Sequence, residues 1–220
     1  MQMTIAGVLT PEDLALVRAA FDKATFIDGR ETAGWAAKGV KNNTQAKAGD
    51  PAMDKARALV LERLAANALF VTAARPKQFS SLLFARYEKG MEYGAHVDDA
   101  LMAGMRSDLS FTLFIDEPDA YDGGELVLET SAGETAVKGP AGSVFLYPST
   151  TLHRVARLDS GVRRVCVGWA QSFVRNAEQR EILFDLDTAR RAVFNASGKN
   201  AEFDLMSKSL ANLLRMWAET

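Results

Sequence analysis

Apolar positions recur at helical spacing near both ends of the chain and at strand spacing between them. Leu14, Val17 and Phe21 share one side of a helix that Thr10 caps and Pro11 opens, running to about Ala24. Asp50 and Pro51 begin a second helix in the same way, with Leu59, Leu61, Leu64 and Leu69 as its apolar side. Between them, residues 27–49 are rich in Gly, Lys and Asn around Trp35 and read as a long loop. Loops of that length usually carry function or move. From Gln78 the period becomes two. Residues 81–87 form one strand. Residues 108–116 form the clearest, with Leu109, Phe111, Leu113 and Ile115 alternating with Ser110, Thr112 and Phe114. Shorter strands follow at 125–129, 134–137, 143–147, 152–157 and 164–173, separated by turn signals such as Asp122-Gly123-Gly124 and Asp159-Ser160-Gly161. This spacing predicts an antiparallel sandwich or barrel. Past Arg175 the helical period returns at 176–195, with Ile182, Leu186, Ala189 and Val193 on one face. Ser197-Gly198-Lys199 breaks it, and a last helix carries Phe203, Met206, Leu210, Leu213 and Trp217.

Composition narrows the class. The chain has 220 residues, 48% hydrophobic and 25% charged, enough to bury roughly 70% of its unfolded surface. That balance excludes a disordered chain, a collagen and a coiled-coil rod. A net charge of −2 gives no basic excess for nucleic acid or an anionic membrane. One cysteine, Cys166, makes no internal disulfide and no multi-thiolate metal site; its place between Val165 and Val167 predicts an inert buried thiol. A reducing, cytoplasmic home is expected. The start of the chain lacks the basic and apolar pattern of a signal peptide, and no run of about 18 apolar residues is long enough for a membrane span.

The histidine count directs the chemistry, because there are two. His96 stands two residues before Asp98, and on a strand such residues project to one face. His153 follows after several strands, enough to return it beside His96 across a small barrel. Two imidazoles and one carboxylate on a face are the ligand set of non-haem Fe(II) oxygenases, leaving positions for a chelating 2-oxo acid and for O₂. A 2-oxo diacid needs a cation for its far carboxylate, and Arg163, ten residues past His153, supplies a bidentate fork. In a hairpin turning at Asp159-Ser160-Gly161, Arg163 would be offset from the residue facing His153 by on the order of 16 Å. It shares parity with Val165, Val167 and Trp169, which makes an inward face and turns Arg164 outward. A His–Asp pair alone is a weak sign, since such pairs arise by chance on strands. The full set is stronger because it uses both histidines.

The pattern Tyr87-x-x-Gly90-x-x-Tyr93-x-x-His96-x-Asp98, followed by His153 and Arg163, resembles the prolyl 4-hydroxylase branch of Fe(II)/2-oxoglutarate dioxygenases. It is more similar still to the bacterial PKHD-type hydroxylases. Thr32-Ala-Gly34, Val40-Lys-Asn-Asn43 with Gln45, Arg86-Tyr-x-x-Gly-Met91, Gly123-Gly-Glu-Leu126, residues 149–153 and Gln171-Ser172 carry the likeness over nearly the whole chain. The resemblance implies a mainly β fold with flanking helices: a double-stranded β-helix (jelly roll) in a dioxygenase domain at 1–175, and a helical extension at 176–220. It implies Fe(II) on His96, Asp98 and His153, with Arg163 gripping the far carboxylate of 2-oxoglutarate and Tyr87 as a second donor. It also implies O₂ as co-reactant and allows L-ascorbate as an auxiliary cofactor. The implied reaction hydroxylates a C–H bond in a peptide, a prolyl or lysyl side chain or a small molecule, releasing succinate and CO₂. Residues 38–45 are the choice for a lid or substrate contact. The apolar tail helices suggest a homo-oligomer. A cupin-like metal-binding or sensor protein is the alternative, although cupins offer His-x-His and Glu where this chain has Asp98.

Overall fold

In the computed structural model, which describes residues 1–220, the period-two stretch folds into two main antiparallel sheets. The larger has eight strands. Its order runs Met3–Ile5, Val144–Pro148, Leu109–Phe114, Arg163–Ser172, Leu83–Tyr87, Thr44–Ala46 and Phe26–Asp28, with Pro76–Phe79 added against Arg163–Ser172. The smaller has five, in the order Gly133–Val137, Leu126–Thr130, Leu152–Val155, Glu92–His96 and Lys41–Asn42.

Helices cover the outer face of the larger sheet. They are α1 (Pro11–Lys23), α2 (Asp54–Ala66) and α3 (Ala68–Ala74). This explains why Leu109–Phe114 is buried at all six residues. Leu109, Phe111 and Leu113 join Val17, Phe21, Val60, Leu64 and Phe70 in the principal core, while Phe114 packs in a second core between the sheets with Phe145, Leu126, Leu128 and Val155. Each fully buried Leu or Phe contributes about 1.5–3 kcal/mol by leaving water. Cys166 takes the helix side, as its parity requires.

The predicted second helix is two. Asn67 ends α2 and caps α3, its side chain accepting from the Phe70 amide at 2.9 Å, because an Asx side chain offers the backbone an alternative to continuing the helix. The predicted loop at 27–49 holds parts of three short strands. Phe26–Asp28 pairs with Thr44–Ala46, which pairs with Leu83–Tyr87, while Lys41–Asn42 pairs with Glu92–His96. Runs of two or three residues are too short to display a period, so their pairing comes from partners distant in sequence. The tail forms α4 (Ala177–Ser197) and α5 (Ala201–Trp217). Their apolar faces meet each other: Leu183 and Leu210 pack with Val174, flanked by Leu186, Leu213 and Trp217. The chain end is stitched to the core through Arg106–Glu219 at 2.7 Å and the Glu219 amide on the Phe173 carbonyl at 2.7 Å.

Candidate metal centre

His96 ends the strand Glu92–His96, and His153 lies directly across from it on Leu152–Val155. Their ring centroids are 4.3 Å apart. Asp98 arrives differently from the expected pleat alternation. The strand stops at His96, so Asp98 stands on the irregular segment beyond it. Its position is set by Ser110, whose hydroxyl donates to Asp98 Oδ2 at 2.6 Å and lies 2.8 Å from the Ser149 hydroxyl. Together the three side chains place one nitrogen or oxygen each within 4.8 Å of one another.

The hydrogen bonds decide which imidazole nitrogens face the centre. His96 Nδ1 sits 2.8 Å from the Gly94 carbonyl, and His153 Nδ1 2.9 Å from that of Thr151. A carbonyl only accepts, so each Nδ1 carries a proton and each Nε2 is the nitrogen left to face the centre as a ligand. Burial, and then the neighbouring His153, push His96 down to about 4, so its ring is neutral at pH 7. His153 Nε2 faces Asp98 Oδ2 at 3.8 Å. Two lone pairs and a carboxylate oxygen thus converge, a donor set that repels itself and suits a divalent cation. Tyr93 stacks on His96 at 3.7 Å, and Tyr147 meets His153 edge-on at 5.1 Å, holding both rings.

Arg163 reaches the same cavity from the opposite wall. The expected hairpin with the His153 strand does not form. Leu158–Gly161 intervenes and pairs with Tyr121–Gly123, so Leu152–Val155 belongs to the smaller sheet and Arg163–Ser172 to the larger. The parity argument survives this change, since Arg163, Val167 and Trp169 line the cavity of about 680 Å³. Arg163 is 1% exposed, and its Nε and Nη1 have no partner, a buried cation with unused donors. Its guanidinium lies over the Tyr87 ring at 5.0 Å. Burial raises the Tyr87 hydroxyl, with the Arg163 charge pulling the other way. The phenol therefore stays a donor, within the cavity wall. Arg164 faces away from the cavity but not into solvent. It forks onto Asp116, with Nη2 to Oδ1 at 2.7 Å, while its own amide donates to Oδ2 at 2.8 Å.

Two members of the site escaped the sequence reading. Ser110 shares with Thr112 the polar side of the 108–116 alternation, a signal that this strand's inner face is not greasy. Lys41 falls within 38–45, expected as a segment to form a lid or substrate contact with no single residue named, and it is buried in the cavity wall. Of that segment, Lys41, Asn43 and Gln45 line the cavity.

Comparison with known proteins follows the same lines. A profile of the 2OG-Fe(II) oxygenase superfamily matches residues 82–171, and one of the PKHD-type hydroxylase C-terminal domain matches residues 178–219. The chain is 53% identical over 219 residues to a PKHD-type hydroxylase of Picosynechococcus sp., covering 100% of both chains. Among solved structures, a Pseudomonas putida prolyl-4-hydroxylase is similar with a TM-score of 0.54 at 22% identity, over 78% of this chain and 92% of that one. A Trichoplax adhaerens prolyl hydroxylase in complex with a hypoxia inducible factor peptide fragment gives a TM-score of 0.55 at 13% identity, over 83% and 86%. These structural likenesses establish a shared jelly-roll fold.

Proposed function

Since the chain belongs to the PKHD-type hydroxylase family of 2OG-Fe(II) oxygenases, we propose that His96, Asp98 and His153 hold its Fe(II), and that Arg163 and Tyr87 take the far carboxylate of 2-oxoglutarate. The enzyme is an Fe(II)- and 2-oxoglutarate-dependent dioxygenase. Bound iron supplies the O₂ chemistry that couples 2-oxoglutarate decarboxylation, to succinate and CO₂, to hydroxylation of a substrate C–H bond. The chain's own residues prepare the place. The Gly94 and Thr151 carbonyls fix the imidazole tautomers, and Ser110 with Ser149 holds the carboxylate. Tyr93 and Tyr147 pack against the rings and hold their orientation.

The observation that carries the reading is the buried, donor-rich Arg163 facing the three converging ligands across one cavity. A cupin-like sensor has no use for that cation. The Trichoplax neighbour was solved with a peptide fragment. A peptide side chain or a small molecule of similar size is the substrate we assign to this cavity, with L-ascorbate as an auxiliary in the assay. No helix is long and apolar enough to cross a membrane. We place the protein in the reducing cytoplasm on its single thiol, and keep self-association through α4 and α5 as a proposal that sedimentation of the full chain decides.

Anaerobic titration with Fe(II) and 2-oxoglutarate tests the assignment. Wild type develops the visible charge-transfer band of a chelated 2-oxo acid on iron. Asp98→Ala abolishes that band and succinate formation. A variant lacking Asp98 that bound iron and turned over like wild type would overturn the ligand set.

A further inference from the structure

The site as assigned leaves one cation without a task. Lys41 is 6% exposed, on the two-residue strand at the edge of the smaller sheet, directly across from Tyr93. Its Nζ lies 4.9 Å from the centroid of the Tyr93 ring, the ring that stacks on His96. Nζ donates to Thr32 Oγ1 at 3.1 Å. Thr32 in turn donates to Gln45, which turns its lone pairs toward the lysine and fixes the ammonium in place. An ammonium has three N–H groups, so two remain for another acceptor.

No carboxylate of the chain fills that role. Lys41 makes no ion pair within 4.0 Å. Asp28 is occupied by Arg30, and Asp98 accepts from Ser110 and points at His153. Withdrawing an ammonium from water is costly unless an anion meets it. Burial accordingly pushes Lys41 down to about 8, against the weaker pull of Asp98 and Asp28. The cavity therefore holds two buried cations with no carboxylate in ion-pair contact, one on each sheet. Arg163 stands at the buried base of Arg163–Ser172, beside Tyr87. Lys41 bonds Thr32 and shares the cavity lining with Ala33, Gly34 and Ala37, which belong to a segment that reaches the surface at Trp35, 93% exposed. A cosubstrate seated on Arg163 leaves the free N–H groups of Lys41 to meet a second reactant in the same cavity.

Resting on the assignment of Arg163 to 2-oxoglutarate, we propose that Lys41 is a specificity-determining residue that binds a carboxylate of the hydroxylated substrate. The substrate class is then an acidic one: a free amino acid or small organic acid, or a peptide carrying an Asp, a Glu or a free C-terminus near the reacting carbon. Thr32 and Gln45 act as positioning residues for the ammonium.

The test uses the full chain loaded with Zn(II), which is redox-silent, and saturated with 2-oxoglutarate so that Arg163 is occupied. Acetate is the probe and acetamide its neutral control, followed by saturation-transfer NMR in chloride-free buffer. Acetate binds wild type and acetamide does not. Lys41→Met weakens acetate at least tenfold, the size of losing one charge-assisted hydrogen bond, and Lys41→Arg retains it. The Kd for 2-oxoglutarate stays within twofold in both variants, which also reports that they fold. Displacement of acetate by N-acetylglycine against an acetylated, amidated Ala-Glu-Ala peptide tells a small acid from a peptide side chain. Failure of acetate to bind wild type, equal binding of acetamide, or an unchanged acetate Kd in Lys41→Met overturns the proposal. So does a large rise in the 2-oxoglutarate Kd in Lys41→Met, which would give the lysine to the cosubstrate. Failure of 2-oxoglutarate to bind wild type at all would instead count against the assignment of Arg163.

Discussion

Gly124 shows how finely the buried Arg163, proposed to hold the cosubstrate, is seated. Its φ is +68°, and a Cβ there would stand 2.8 Å from Leu158 Cδ1 and 3.0 Å from Arg163 Cδ. Glycine is needed both for the backbone conformation and for the room it leaves beside the arginine. Gly124→Ala should raise the apparent KM for 2-oxoglutarate while the iron site stays loadable. Arg163→Ala removes a buried charge-assisted pair, an effect of about 2–5 kcal/mol, and should raise that KM by tens- to thousands-fold. Arg164 is a poor neutral control for this comparison. Its removal leaves the buried Asp116 carboxylate short of its cation, so Arg164→Ala should lower the unfolding midpoint in urea with little change in 2-oxoglutarate affinity. A KM that moved equally in both arginine variants would break the parity argument. His96, His153 and Arg163 were legible because histidine is scarce here and parity on a strand is rigid. Asp98 was found by type and spacing, though the pleat is not what delivers it. Lys41 lay inside the 38–45 segment expected to contact substrate but could not be singled out there, because its burial depends on Tyr93, which is remote in sequence.

At the scale of elements, long periodic segments were readable and short ones were not. Leu109–Phe114 and Arg163–Ser172 alternate over enough residues to reveal two faces. Lys41–Asn42 and Thr44–Ala46 do not, and only pairing with Glu92–His96 and Leu83–Tyr87 makes them strands. The tail illustrates a different limit: the pattern gives two apolar helix faces, but not which surface each meets. They meet each other and Val174. Leu183, fully buried between them and the core, should cost about 2–5 kcal/mol when replaced by Ala, read from urea unfolding. Ending the chain after Arg175 should lower the melting temperature of what remains, because Val174 is uncovered and the Arg106–Glu219 tie is lost. An unchanged melting temperature would mark the tail as an independent appendage.

For the whole molecule, the class of fold followed from strand spacing, while the assignment of each strand to a sheet did not. A turn at Asp159-Ser160-Gly161 is visible locally. That the chain there passes from the smaller sheet, through a two-stranded ribbon, to the larger one is settled by packing across the cavity. Cys166 offers a probe of this assembly, since it lies between the larger sheet and the helices, fully buried, with its thiol pushed up by that burial. In native buffer near pH 7 it should resist iodoacetamide, and its labelling rate in rising urea should follow global unfolding. Rapid labelling of the folded protein would mean that the helical layer opens independently of the sheet.

Leu109–Phe114 and the following Ile115 form seven consecutive residues with neither a charge nor a proline, and all seven are buried. Both sheet neighbours of this strand, Val144–Pro148 and Arg163–Ser172, come later in the chain. During synthesis or refolding it must wait for them, and while it waits it is an uncharged, β-forming segment of the kind that pairs with copies of itself. Exposed edges elsewhere in proteins are guarded by a lysine or a proline. Here the helices occupy one side and the reaction cavity the other, so neither guard fits. Soluble yield should therefore depend on how quickly the partners arrive, or on a chaperone that covers the strand until they do.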